Sequence, residues 1–347
     1  MIKVGVLGAT GAVGQRFIQI LSEHPWFEIT ELLASERSAG KKYRDATKWL
    51  IETALPEDLK TMEVKLARPE SLKNSDIELL FSAIPANIAK KTEVEFAEAG
   101  FTVASNAAAH RMDADVPLVI PEVNRDHLAL IEVQQRKRGW DGCIITNPNC
   151  STIVMTMTLK PLMQFGIKHV RVATMQAISG AGYTGLPAMA IHDNVIPFIG
   201  GEEGKMETEP LKILGELDGD VVKPANFKIS ASCHRVPVID GHTEAIWVEF
   251  TSDPSVSEIK KAFYDFRREI ESPTSPEMPI MVMEEEDRPQ PRLDRDLGRG
   301  MTVSVGRIRA DSMGLKYIAM GHNTIRGAVG ASVLNAEVFA VERGIVK

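Results

Sequence analysis

Cysteine is scarce in this 347-residue chain: Cys143, Cys150 and Cys233 make an odd number with no C-x-x-C pair. That excludes a disulfide framework, argues against a cysteine-ligated zinc and leaves room for one reactive thiol. Basic charge is also short. Forty Lys and Arg against 47 Asp and Glu leave a net charge of −7, the wrong sign for coating nucleic acid. No apolar run reaches the ~18 residues that span a bilayer, and no internal repeat or low-complexity segment is present. Met1-Ile2-Lys3 opens directly into a strand pattern without a basic, apolar leader. The expectation is a cytoplasmic protein with no membrane or nucleic-acid partner and no metal. What is present is a globular composition, 44% hydrophobic and 25% charged. A chain of this length suggests about two domains and buries roughly three quarters of its unfolded surface.

The first half alternates short apolar runs with amphipathic stretches, the signature of βαβ units. Ile2–Leu7 is a strand closed by Gly8. In 12–21, Val13, Phe17, Ile20 and Leu21 recur at helical spacing. After His24-Pro25 come further apolar runs at 27–34, 77–84 and 101–104, all suited to a parallel sheet buried on both faces. Beyond residue 150 the pattern changes. A buried helix is expected over 151–165, then strands at 169–179, 227–238, 242–251, 301–310 and 315–320, with a helix over 256–270 among them. Residues 284–299, mixed in charge and interrupted by proline, are expected to be a solvated loop or an inter-subunit contact. A last apolar helix, 327–343, is expected to pack back onto the first domain. The fold class is therefore α/β: a Rossmann-type dinucleotide-binding domain over 1–149, completed by the C-terminal helix 324–347, and an α+β domain over 150–323.

Between the first strand and first helix stands Gly8-Ala9-Thr10-Gly11-Ala12-Val13-Gly14, a G-x-x-G-x-x-G loop. Its glycines admit a pyrophosphate to the free N–H groups of the helix start. A tight turn with packing glycines is the plainer reading, but strand, loop and helix all fall where a dinucleotide cradle requires them. The second strand ends in Ser35-Glu36-Arg37-Ser38. A cation between two hydroxyls suits the 2′-phosphate of NADP, whereas Glu36 is the acidic partner that an NAD site would use. The balance favours NADP, with Ser35, Arg37 and Ser38 as its ligands.

Asn147-Pro148-Asn149-Cys150-Ser151-Thr152 marks the domain junction. A thiol in the first turn of a helix is acidified by the helix dipole, and the thiolate is the nucleophile. A lone cysteine entering an apolar helix is as readily an inert small hydrophobe, the reading that suits Cys143 and Cys233 inside strands. Two further segments favour chemistry. Ser179-Gly180-Ala181-Gly182 follows a strand carrying Gln176, and its small residues let backbone approach a flat ligand. Cys233 to His242 offers the Arg235 guanidinium for a carboxylate and the His242 imidazole for proton transfer.

Together these segments resemble the aspartate-β-semialdehyde dehydrogenase family. The similarity runs nearly end to end: the Gly8–Gly14 loop, Ser105-Asn106 with Arg111, Asn149-Cys150, Gln176 with S-G-A-G, Gly200-Gly201-Glu202-Glu203, Arg235 through His242, and Asn323 with Arg326-Gly327. The resemblance implies a plan similar to glyceraldehyde-3-phosphate dehydrogenase, with the second domain also serving dimerisation. It also implies NADPH-dependent reduction of aspartyl phosphate through a thioester on Cys150. Roles come with it: His242 as acid/base, Gln176 orienting the substrate and Arg235 gripping its α-carboxylate. Arg111, Lys205 and Asn149 would form the phosphate pocket, with inorganic phosphate as the other small partner. Glu202, or its neighbour Glu203, would meet the substrate amine or Lys205. Asn323 would hold the nicotinamide carboxamide above the Ser179, Gly180 and Gly182 backbone. A homodimer or homotetramer is expected. Malonyl-CoA reductase and N-acetyl-glutamyl-phosphate reductase share the plan and are the enzymatic alternatives. An NADP-sensing protein without turnover is the non-enzymatic one.

Overall fold

The computed structural model describes residues 1–346. The first sheet has six parallel strands: β1 (Ile2–Leu7), β2 (Phe27–Ala34), β3 (Val64–Leu66), β4 (Leu79–Ser82), β5 (Thr102–Ser105) and β6 (Cys143–Thr146). Helices α1 (Ala12–Leu21), α2 (Ala86–Glu98) and α3 (Leu130–Arg138) pack against them. With both faces covered the strands need no polar side: Val4, Val6, Leu80 and Phe81 have no exposed surface. The order β3-β2-β1-β4-β5-β6 is that of a doubly wound dinucleotide fold. It reverses direction between β1 and β4, where a crevice opens at the carboxyl ends of the strands. Gly8 sits at that point with φ +84°, and a Cβ there would lie 3.0 Å from the Ala83 backbone.

Helix α4 (Cys150–Leu159) leads into the second half, which contains β7 (Ile167–Gln176), α5 (Glu202–Ile213), a small hairpin β8 (Glu216–Asp218) and β9 (Val221–Lys223), β10 (Lys228–Arg235), β11 (His242–Phe250), α6 (Val256–Asp265), β12 (Ile280–Val282), β13 (Val303–Asp311), β14 (Gly314–Gly321) and α7 (Gly330–Glu342). The second sheet is mixed, in the order β10-β7-β11-β14-β13-β12. Along β11 every second residue from His242 to Phe250 is buried, so one face looks inward. Ile153, Val154 and Met157 of α4 join Val172, Ile246 and Val248 of that face in one core. Each such side chain contributes about 1.5–3 kcal/mol on burial, enough to hold the start of α4 rigidly against the sheet.

The last helix is buried nearly all round. Val333 and Ala336 join the core of Val4, Phe17 and Phe81, and Leu334 and Val338 that of Ile131 and Ile145. This is the expected return to the first sheet. Buried Glu337 accepts from Ser272 Oγ at 2.5 Å and pairs with His24 Nε2 at 2.6 Å, tying both halves to α7.

Several expected boundaries shift for physical reasons. Pro161 removes an N–H and crowds the preceding turn, so α4 stops at Leu159 and a 3-10 turn, Lys160–Phe165, continues it. Helix α6 ends at Asp265 rather than 270, where Phe266 turns extended. The final helix begins at Gly330, preceded by a π turn, Ile325–Val329. The segment 284–299 is not simply a solvated loop. Its first residues are exposed, but buried Asp294 accepts from Arg288 and from Gln290 N, and Arg295 Nη1 donates to Asp240 O at 3.3 Å. That seats its second half against Asp240-Gly241.

Candidate active site

Cys150 is the first residue of α4, and Asn149 caps the helix. The Asn149 Oδ1 accepts from Ser151 N at 3.0 Å and Thr152 N at 3.2 Å, a cap worth about 1 kcal/mol. The Cys150 Sγ then lies 3.3 Å from His242 Nε2. On the far side of the ring, Ala177 N–H donates to Nδ1 at 3.0 Å. An accepting Nδ1 leaves the neutral ring's proton on Nε2, aimed at the sulfur. Burial, with Arg235 and then His322 nearby, pushes His242 down to about 3. His242 is therefore a neutral donor toward Sγ, or toward an oxygen formed beside it.

The resting thiol departs from the sequence expectation. The Ser151 N–H, Arg111 and Arg235 do favour the thiolate, as the helix start implies. Burial and the Glu202 carboxylate outweigh them and push Cys150 up to about 12. The thiolate is a minority form in this arrangement, held when it forms by the Nε2–H. Cys150 is half-buried, whereas Cys143 and Cys233 are fully buried in strands; burial raises them to about 11 and about 12.

Around the sulfur the structure gathers most of the expected residues. Gln176 is buried at the end of β7 and donates to Thr174 Oγ1 at 3.3 Å. Arg235, at the end of β10, donates from Nη1 to Ala177 O at 2.6 Å. A Cβ on Gly180 would stand 2.7 Å from that Nη1 and 3.2 Å from the His242 ring, so glycine lets the two groups approach. Glu202 accepts from Asn149 Nδ2 at 2.9 Å and from Lys205 Nζ at 3.2 Å. Glu203 instead accepts from Cys233 N at 3.1 Å, so Glu202 is the one that faces Cys150. Arg111 donates from Nη2 to Asn106 O at 2.9 Å.

The glycine loop separates into structural and open positions. Gly14 is required by packing, since a Cβ would reach 2.2 Å from Gly8 O. Gly11 caps α1 with ordinary φ, and its nearest neighbour would be 3.5 Å away. Nothing among the described residues forbids a side chain at Gly11; a pyrophosphate laid on the loop would. Thr10, Ala12 and Val13 flank it, partly exposed. Farther along, Ser35, Glu36, Arg37, Leu66, Ile84 and Ile88 line an open cleft of about 520 Å³, an apolar slot beside a guanidinium. Ser38 is buried at the turn that follows, its N–H bonded to Ser35 O. The Asn323 Oδ1 accepts from Gly241 N and its Nδ2 donates to Ser179 Oγ, both at 2.8 Å. It thereby locks the Ser179–Gly182 turn and keeps a second Nδ2–H and a second Oδ1 lone pair.

Three features escaped the sequence reading. A Cβ on Gly327 would sit 2.6 Å from Cys150 Cβ, so the π turn presses against Cys150. Glu209 is buried and binds both Arg111 and the Asn149 backbone. Glu244, two residues beyond His242, is buried with neither oxygen partnered, and burial holds its carboxyl well above the usual range. The spacing Glu202, Lys205, Glu209, Lys212, which repeats on one helical face, is the signal that would have exposed Glu209.

Two family profiles match the chain: "Semialdehyde dehydrogenase, NAD binding domain" over residues 3–131 and "Semialdehyde dehydrogenase, dimerisation domain" over 159–326. The chain is 60% identical to the aspartate-semialdehyde dehydrogenase of Archaeoglobus fulgidus over 342 residues, 98% of each chain. It is 57% identical to that of Methanothermobacter thermautotrophicus over 346 residues, 98% of this chain and 99% of that one. The crystal structure of the Candida albicans aspartate semialdehyde dehydrogenase with NADP superposes with a TM-score of 0.90 at 43% identity, covering 100% of both chains. The chain belongs to the aspartate-semialdehyde dehydrogenase family.

Proposed function

We propose that this enzyme reduces L-aspartyl 4-phosphate to L-aspartate 4-semialdehyde with NADPH, Cys150 carrying the acyl group. The observation that carries this reading is the Cys150 Sγ–His242 Nε2 contact of 3.3 Å at a helix start bracketed by Arg111 and Arg235. The Cys150 thiolate attacks the acyl carbon and the bond to the phosphate oxygen breaks. Phosphate leaves and a thioester remains on sulfur. His242 donates its Nε2–H to the oxygen that gains charge. Arg111, Lys205 and Asn149 hold the phosphate. Arg235 takes the α-carboxylate with its remaining N–H groups, Gln176 orients the substrate, and Glu202 receives its amine. NADPH, when bound, would supply the hydride for the thioester carbon, and Cys150 would then release the semialdehyde.

The cofactor fits the residues present. Gly8 to Gly14 would cradle the pyrophosphate, with Gly11 as the open position. Ile84, Ile88 and Leu66 would flank the adenine, and Ser35 and Arg37 the 2′-phosphate. Ser179, Gly180 and Gly182 would floor the nicotinamide, their turn locked by Asn323.

The first domain is taken as residues 1–149 with the C-terminal helix, and the second as 150–323. The chain carries a dimerisation domain and forms a homo-oligomer. A dimer through the outer face of the second sheet is supported by Met175, Trp247 and Ile318, which no element of the same chain fully covers. None of the described helices is long and apolar enough to cross a membrane. A nucleophilic thiol beside two other free cysteines suits a reducing, cytoplasmic compartment. The test is NADP reduction by aspartate semialdehyde. Dependence on phosphate or arsenate supports the reading, and phosphate-independent turnover, or preference for malonyl-CoA in the reverse assay, contradicts it.

A further inference from the structure

Helix α5 buries four charged residues or their stems on one face, and only two of them, Glu202 and Lys205, have been given work in the reaction. The other two are Glu209, 2% exposed, and Lys212, 7% exposed. Burying a carboxylate so near a sulfur that must ionise is costly, so its contacts should account for it. The Glu209 Oε1 accepts from Arg111 Nη1 at 3.0 Å, and its Oε2 accepts from the Asn149 main-chain N–H at 2.7 Å. One turn on, Lys212 Nζ donates to Arg111 O at 2.8 Å, Asp113 O at 2.7 Å and Val116 O at 2.8 Å. The side chain of Arg111 is thus held by one residue of α5 and its main chain by the next.

Asn149 is fixed as completely. Its N–H goes to Glu209, its Nδ2 to Glu202 and its Oδ1 to the first turn of α4. The next residue is Cys150. Arg111, meanwhile, has both Nη atoms engaged, with Glu209 and with Asn106 O, while its buried Nε has no partner. Its remaining N–H groups therefore point where Glu209 lets them.

We infer that Glu209 is a positioning residue, whose two carboxylate oxygens set the phosphate-holding guanidinium and the backbone of the nucleophile in one register. An acyl phosphate must present its carbon to sulfur while its phosphate is held, and two anchors on one rigid carboxylate fix the distance between those demands. Near-attack geometry tolerates little error: a shift of about 1 Å can cost on the order of a hundredfold in rate. This inference rests on the proposed reading, in which Cys150 is acylated and Arg111 binds phosphate.

The test is Glu209→Gln in the full-length enzyme. Glutamine keeps the size and one acceptor, but its amide opposes either the guanidinium or the Asn149 N–H. Two quantities separate the anchors. Without phosphate, aspartate semialdehyde and NADP should give one NADPH per site, which reports acylation of Cys150 alone. With phosphate, the steady state gives the KM for phosphate. The variant is expected to slow the phosphate-free formation of that single NADPH about tenfold or more and to raise the phosphate KM by a similar factor. The KM for semialdehyde, governed by Arg235, should stay within about twofold. A change confined to the phosphate KM would overturn the inference, because Glu209 would then serve Arg111 only. So would slowed acylation with an unchanged phosphate KM, or no change in either. If Glu209→Gln does not fold, Glu209→Asp, which keeps the charge on a shorter stem, carries the same two measurements with the same expected directions. A wild type that gives no phosphate-free NADPH refutes the thioester reading itself, a result separate from any of these.

Discussion

Gly327→Ala tests whether the π turn Ile325–Val329 is part of the catalytic geometry. The added Cβ would meet Cys150 Cβ at 2.6 Å and Cys150 Cα at 3.0 Å, against the ordinary separation of about 3.5–4 Å between carbons. Neither partner is a flexible side-chain end, so main chain must move by about 1 Å. On one side that backbone begins α4, capped by Asn149 and packed into the core. On the other, Arg326 is held by the bidentate, fully buried pair with Glu122 at 2.7 and 2.8 Å. The strain should cost about 1–3 kcal/mol of stability and, by displacing sulfur from His242 Nε2, lower kcat about a hundredfold. Gly306→Ala is the control. Its Cβ would meet Arg288 O at 2.4 Å and Pro289 Cδ at 3.0 Å, a comparable crowding in β13, outside the π turn. It should lower Tm while kcat stays near wild type. Steady-state kinetics and thermal unfolding of both variants decide the matter. A Gly327→Ala enzyme with lowered Tm but wild-type kcat would refute the idea that this close approach positions the nucleophile.

Three other outcomes follow from the same geometry. Arg37→Ala should raise the KM for NADPH about tenfold, the value of one charge-assisted hydrogen bond, and leave that for NADH unchanged; equal effects would remove the guanidinium from the 2′-phosphate. Nitrogen NMR of His242 should show the Nε2–H tautomer from about pH 5 to 8 with no imidazolium, because the depressed ring loses its proton well below that window; an imidazolium at neutral pH would contradict the Ala177 N–H assignment. Glu244 holds a proton in the folded state that the unfolded chain releases above 4.5. Stability should therefore fall as pH rises, by about 1.4 kcal/mol per unit, until the buried carboxyl ionises. Glu244→Gln should flatten that dependence, and parallel curves for the two proteins between about pH 5 and 8 would show the carboxyl to be already ionised.

What the sequence made legible is what local pattern encodes. The run 2–7, the glycine loop, the helix 12–21 and the strand 27–34 coincide with β1, α1 and β2. Hydrophobic period and glycine spacing are sufficient there, with no reference to the rest of the chain. The position of Cys150 between an apolar strand and an apolar helix was legible for the same reason. Its ionisation was not: the dipole is local, but the burial that opposes it comes from segments folded in from elsewhere, and the opposing Glu202 charge stands 52 positions on. Glu209, Glu244 and Glu122 illustrate the same limit. Buried carboxylates read in sequence as solvent-facing polar positions, and only the partner brought in by folding, or its lack, reveals them. Gly327 is a related case, because a glycine needed for close approach to another segment looks like any helix-start glycine. Helix α5 went unassigned since its buried face carries Glu202, Glu209 and Lys212 among Met206 and Ile213, which breaks the apolar period on which assignment relies.

The most direct measurement is the mass of the enzyme caught between its two half-reactions. Wild type mixed with aspartate semialdehyde and NADP without phosphate should gain one aspartyl group, mapped to the peptide bearing Cys150 and discharged when phosphate is added. Cys150→Ser should gain none and turn nothing over. An acyl group found on Cys143 or Cys233, or dehydrogenase activity surviving in Cys150→Ser, would contradict the assignment of the sulfur beside His242 as the nucleophile.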